Sequence, residues 1–246
     1  MNPIYKDKAK LEELRQEYMF NDPYPHIVLD DFWDIDQLNK ATDELEELPM
    51  EIWTKHRDPM ANDTIVQRKK FGLNMTSMLE GKAPLIERIM NYMNSPEMVD
   101  WISDLTGIPD LKPDPFNTGG GIHKSLKGGK LAIHADFNIH HKLKLHRRVN
   151  ILLYLNRDWD EAWHGELEMW DKYMNACHKR VFPHFNKVVI FNTTDTALHG
   201  HPIPLDCPED RSRLSLAYYY YSEDRPEAEK SNPRETLWFK RPKDGY

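Results

Sequence analysis

The strongest constraint on the fold lies in the second half of the chain, where short β-rich runs alternate with turn formers. The runs are 130–136, 147–155, 165–170, 187–192 and 211–221. Gly119-Gly120-Gly121, Gly128-Gly129 and clusters of Pro, Asn and Asp separate them. Many short strands without long helices between them are the pattern of a β-sandwich or jelly roll. In RLSLAYYYYS, residues Arg213, Ser215, Ala217 and Tyr219 share one face. Leu214, Leu216, Tyr218 and Tyr220 share the other, because side chains alternate along a strand.

Before residue 110 the period is helical. Residues 6–19 set Leu11, Leu14 and Tyr18 on one stripe, and Asp34 caps a second helix carrying Leu38, Ala41, Leu45 and Leu48. A third helix is predicted at 84–94. A fourth runs between an N-cap at Ser95, with Pro96 next, and Gly107 just past its end. PHIVLDDF (25–32) reads as a strand, and 49–82 is polar with no assignable pattern. No repeat or linker divides the chain. The expectation is one domain over 1–246: a mostly helical support at 1–110, a jelly-roll core at 111–225 and a tail at 226–246 that serves as an edge strand or lid.

Charge and composition exclude several classes. A net charge of −7 argues against a phosphate-backbone binder, so no nucleic-acid partner is expected. No apolar stretch is long enough to span a bilayer, so no membrane partner is expected either. The N-terminus MNPIYKDKAKLEEL lacks the apolar core of a signal peptide. With only Cys177 and Cys207, a disulfide framework is not expected and a reducing cytoplasm fits.

Chemistry concentrates in KLAIHADFNIHHKLKLHRRVNILLYLN (130–156). His134 and Asp136, two apart on a strand, face the same side and can take two positions on one metal ion. A His-x-Asp alone is weak. His199, shortly after the buried run KVVIFN, can be returned to it by a β-core, and Arg213 opens the last aromatic-rich strand. Two histidines and a carboxylate with open positions form the facial triad of non-haem Fe(II) oxygenases. A nearby Arg suits a dicarboxylate co-substrate, which it can pair through two parallel hydrogen bonds.

In this order HADF, RRVNILLYLNRDWD, HGELEMWD, VVIFNTTDTALHG and RLSLAYYYY resemble the catalytic core of the 2-oxoglutarate/Fe(II)-dependent dioxygenases, in the prolyl 4-hydroxylase-like branch and near the HIF-type prolyl hydroxylases. The resemblance covers a little over a third of the chain. It implies a mainly β double-stranded β-helix (a cupin-like jelly roll) with flanking helices, and a hydroxylase using Fe(II), 2-oxoglutarate and O₂, with ascorbate as accessory reductant. The family's iron ligands fall on His134, Asp136 and His199. Its Arg and Tyr for the distal 2-oxoglutarate carboxylate fall on Arg213 and Tyr154. Where the family has Gly-Gly-x-Leu, this chain has His164-Gly165-Glu166-Leu167. Related halogenases lack the carboxylate that Asp136 supplies. The nucleic-acid demethylase branch carries a second Arg where this chain has Tyr219.

The competitors are His201, expected in a surface turn before Pro202, and Arg211, expected as a solvated loop charge. His140, His141 and His146 are expected in a solvated connector, and His178 and His184 in an exposed loop over 171–186. Tyr219 shares the Arg213 face and can reach the site. The implied substrate is a prolyl residue in a peptide, an amino acid or another small metabolite. Two other readings stay open: a non-catalytic jelly-roll binding module, and a cupin metalloenzyme that does not use 2-oxoglutarate.

Overall fold

The computed structural model of the chain describes residues 1–56, 66–74, 79 and 81–242. In chain order its elements are α1 (Lys8–Phe20), β1 (His26–Leu29), α2 (Ile35–Glu46), β2 (Thr54–Lys55), β3 (Gln67–Leu73), α3 (Pro84–Met93), α4 (Pro96–Thr106), β4 (Lys112–Pro113), β5 (Gly121–Ala135), β6 (His146–Tyr154), β7 (Leu167–Trp170), β8 (Cys177–Val181), β9 (Val188–Asn192), β10 (Leu198–His201), β11 (Ser212–Ser222) and β12 (Leu237–Trp238). The helix ends follow the local chemistry. Asp34 Oδ1 accepts the Gln37 N–H at 2.9 Å, Ser95 Oγ accepts that of Met98 at 3.3 Å, and Gly107 ends α4 at φ 70°. No helix among the described residues is long and apolar enough to cross a membrane.

All named strand pairs are antiparallel, in the order β1-β9-β6-β11-β5-β10-β7-β8, and the sheet curls into a nearly closed jelly-roll barrel. β5 serves both layers. Its first half pairs with β11, setting Ser125 opposite Arg213, and its second half pairs with β10, setting His134 opposite His199. Between the halves, Gly128 takes φ +74°, and a Cβ on Gly129 would meet the Leu126 carbonyl at 2.7 Å. Only glycine lets the strand bend that tightly there.

The helices cover one outer face of the barrel. A single apolar cluster joins Leu38, Ile86 and Ile102 from three helices to Ile151, Ile190 and Leu216 from β6, β9 and β11. Each such side chain contributes about 1.5–3 kcal/mol when fully buried. The alternate residues Tyr154, Val189 and Phe191 point to the inner cluster instead. Leu214, Leu216, Tyr218 and Tyr220 pack toward the helices, as the alternation in β11 requires.

β2, β3, β4, β8 and β10 lie outside the predicted runs, and β5 runs through Gly128-Gly129, where the sequence pattern places a break between strands. β2 and β3 lie inside the segment 49–82, and β8 lies inside 171–186. QRKKFGL shows no clean alternation because Lys69 sits in a bulge at φ 49°. The tail turns back, and β12 pairs with Ala135 and His134 on β5; its last four residues, 243–246, lie outside the described residues.

Candidate metal and co-substrate site

Register brings the predicted trio together. His134 and His199 are opposite one another on β5 and β10, with ring centroids 4.4 Å apart, and Asp136 follows at the end of β5. One potential ligand atom from each lies within 4.8 Å of the others. The His134 Nδ1 sits 2.9 Å from the Ala132 carbonyl, and the His199 Nδ1 2.9 Å from that of Ala197. A carbonyl only accepts, so each Nδ1 carries the proton and each Nε2 presents a lone pair. Those Nε2 atoms stand 3.6 and 3.4 Å from the two Asp136 oxygens. Lone pairs converging without a proton between them repel unless a cation sits among them. The donor set is therefore fitted to a divalent metal of the Fe(II) kind.

Asp136 is held from behind. Arg147 Nη2 lies 3.0 Å from its Oδ2, Asn150 Nδ2 donates to the same oxygen at 2.7 Å, and Arg147 Nε donates to Asn150 Oδ1 at 2.9 Å. Burial pushes the Asp136 carboxyl up, but the Arg147 guanidinium and His199 outweigh it and hold it well below the usual carboxylate range. The Arg147 guanidinium also lies 3.5 Å over the Tyr219 ring. Burial drives His199 down to about 4, which keeps its imidazole neutral.

These residues line one cavity of about 230 Å³. At another part of its wall stands Arg213, buried, donating through Nε to the Gly165 carbonyl at 2.7 Å and through Nη2 to Tyr154 Oη at 3.3 Å. Asn150, Leu152 and Tyr219 line the cavity. Tyr154 is fully buried behind Arg213 and reaches the cavity wall through it. The Ser215 side chain, two residues after Arg213, also faces in.

Two histidines and an arginine sit differently from expectation. His201 is buried in β10 and lines the cavity, because two residues on along the strand it shares the inner face with His199. His140 is buried against Asp114, its Nε2 3.2 Å from Oδ2, and stacks on His141 at 5.2 Å. Arg211 is half-buried, with its guanidinium 5.4 Å over Trp163 and a bond to the Arg157 carbonyl. His178 is exposed and His184 partly exposed.

Other residues were not legible as site residues. Arg147 opens a predicted strand and, like Lys70, His56 and His123, carries no site motif in the sequence, yet all line the cavity. The Trp238 ring of the tail packs at a tilt against His134, centroids 5.1 Å apart. Burial takes His56 down to about 4 and Lys70 to about 8, with Asp136 opposing the fall at Lys70.

A family model, the 2OG-Fe(II) oxygenase superfamily, matches residues 120–221. No curated protein matches the chain by sequence. Among solved structures, a Trichoplax adhaerens prolyl hydroxylase in complex with a hypoxia inducible factor peptide fragment superposes with TM-score 0.62 at 14% identity, covering 88% of this chain and 94% of that one. A Pseudomonas putida prolyl-4-hydroxylase gives 0.58 at 16%, covering 86% and 98%. HygX from Streptomyces hygroscopicus, with nickel, 2-oxoglutarate and hygromycin B bound, gives 0.50 at 15%, covering 85% and 91%. At these identities the structural likeness is one of fold.

Proposed function

We propose that this chain, whose residues 120–221 match the family model of the 2OG-Fe(II) oxygenase superfamily, is a dioxygenase that hydroxylates a small-molecule or peptidyl substrate at the His134-Asp136-His199 site. The observation that carries the reading is the convergence of three unprotonated donor atoms within 4.8 Å in a cavity that also holds a buried Arg213. Bound Fe(II), with 2-oxoglutarate and O₂, supplies the oxidation: decarboxylation of the co-substrate to succinate and CO₂, coupled to hydroxylation of the substrate.

The chain supplies position and shelter. His134, Asp136 and His199 hold the metal by one face and leave the rest open. Arg213 takes the distal carboxylate of 2-oxoglutarate, its fork kept in one orientation by Gly165 and Tyr154. Tyr154 thus acts through Arg213 as a positioning residue. Phe191, Leu152 and Trp238 supply apolar wall beside the metal ligands, which limits water at the reacting centre. Proteins of this fold bind both peptides and small molecules, as in the complexes with a hypoxia inducible factor fragment and with hygromycin B. Two free cysteines fit a cytoplasmic setting, and ascorbate would serve as accessory reductant.

Fe(II)-dependent release of succinate from 2-oxoglutarate tests the reading. His134→Ala or Asp136→Ala should abolish it while the protein stays folded; normal succinate formation in either variant would sink the ligand assignment. Arg213→Ala should weaken 2-oxoglutarate binding by about 2–5 kcal/mol, the scale of removing one partner from a buried charge pair. No succinate formation by the wild type across a broad substrate panel would favour a binding module instead.

A further inference from the structure

One wall of the cavity has no task in this chemistry. β2 and β3 pair beside the first half of β5, and the His56 N–H donates to the Lys70 carbonyl at 2.9 Å. Lys70 stands opposite Ser125, and Gly72 opposite His123. A Cβ on Gly72 would lie 2.3 Å from His56 Nε2, so glycine is what lets the His56 ring turn in against His123, 5.7 Å away. The side chains of His56, Lys70, His123 and Ser125 all reach the cavity.

Lys70 is separated from the co-substrate arginine by orientation. Ser125 lies between them in the ladder, Lys70 on its β3 side and Arg213 on its β11 side. The bonds of Arg213 to Tyr154 and Gly165 turn its head away from β5, toward β6 and the segment before β7. The two cations therefore serve different parts of the cavity. No carboxylate among the described residues lies within 4.0 Å of Lys70 Nζ.

Charge favours a second anion. The described side chains lining the cavity include three cations, Lys70, Arg147 and Arg213, and one carboxylate, Asp136, which Arg147 contacts. A divalent metal and the 2-oxoglutarate dianion cancel each other, so the described side chains lining the loaded cavity keep an excess of two positive charges; the buried Glu166 behind the lining acts on Arg213, and no described carboxylate forms an ion pair with Lys70. The cavity walls are partly buried, where uncompensated charge is costly. Both neighbouring histidines are held neutral by burial and add no charge of their own.

We infer that the primary substrate is a compact molecule bearing a carboxylate or phosphate, and that Lys70 binds that group on the wall formed with His56, His123 and Ser125. The inference rests on the dioxygenase reading and names the substrate class for that site. Lys70 supplies a charge-assisted hydrogen bond, and the two imidazoles supply neutral polar contacts on either side. The small cavity, shared with 2-oxoglutarate and flanked by Trp238 and Thr236, suits a metabolite.

The test uses the full chain loaded with Mn(II) and saturating 2-oxoglutarate, titrated calorimetrically with matched pairs: aspartate and asparagine, glutamate and glutamine, glucose 6-phosphate and glucose. At least one acid should bind about tenfold or more tighter than its neutral partner, a difference of about 1.4 kcal/mol. Lys70→Met should erase that preference and Lys70→Arg keep most of it, with 2-oxoglutarate affinity in both within about twofold of wild type, below 0.5 kcal/mol. If no acid outbinds its partner, the inference is wrong. It is equally wrong if Lys70→Met weakens 2-oxoglutarate as much as Arg213→Ala does, which would assign Lys70 to the co-substrate. Failure of Mn(II) and 2-oxoglutarate to bind at all would remove the dioxygenase reading itself.

Discussion

At the scale of single residues, the Asp136 carboxylate depends on Arg147 as much as on its own strand. Strict alternation along β6 would put Arg147 and Asn150 on opposite faces. The register opposite β11 shifts between Tyr220 and Tyr221, so that Val149 faces Tyr220 while Arg147 faces Tyr221. Arg148 is the extra residue of this bulge, and its insertion brings Arg147 to the same side as Asn150. The two then clamp one carboxylate oxygen at 3.0 and 2.7 Å. Removing groups that orient a ligand commonly costs about 10–100-fold in metal affinity. Arg147→Met should therefore weaken Mn(II) binding by about that factor in an equilibrium titration. Unchanged affinity would mean that Asn150 alone orients the carboxylate.

At the scale of elements, the tail is held as firmly as a strand of the barrel. Arg234 donates to Asp195 at 2.9 Å and to the Asp136 carbonyl at 2.7 Å, and the Phe239 N–H donates to the Ile133 carbonyl at 2.8 Å. This places Trp238 against His134. Asp195 is about one-third exposed, so the ion pair itself contributes little. Arg234→Ala should cost about 1 kcal/mol in urea unfolding, mainly for the Asp136 carbonyl bond. It should also raise succinate formation without substrate, because the wall beside the metal loosens. A variant with unaltered uncoupled turnover would leave the tail as packing only. The elements legible in sequence were those with strong local signals: α4 between Ser95 and Gly107, β9 as a continuous apolar run and β11 with its two-faced alternation. The trio was legible because His134 and Asp136 are two apart and His199 follows a buried run. β3 was not, because a cationic strand with a bulge at Lys69 has no apolar period. Arg147 and Lys70 were hidden in a related way: each stands next to a break in strand register, which only the paired strand reveals.

At the scale of the whole molecule, the fold buries imidazoles in numbers that make it acid-sensitive. His26, His123, His134, His140, His199 and His201 are all buried. Burial lowers the pKa of His26, His123, His140 and His201, and takes His56 and His199 to about 4. In the unfolded chain each returns to about 6.5. The folded state thus binds fewer protons between these values, and unfolding takes protons up. Stability is full above about 6.5 and is lost as pH falls toward about 4, each fully buried histidine such as His123 contributing up to about 1.4 kcal/mol per pH unit. Asp136, held low by Arg147, adds loss of the same sign at still lower pH. The chelator-treated protein should show one urea midpoint at pH 7.5 and 7.0 and a falling one at 6.0 and 5.5. Saturating Mn(II) should raise the neutral-pH midpoint most and lose effect on acidification, because metal and protons compete for the ligand imidazole of His199. A midpoint flat from pH 7.5 to 5.5 without metal would show that the folded protein already carries these imidazoles charged or wet. The neutral donor set on which the metal site depends would then be lost with it.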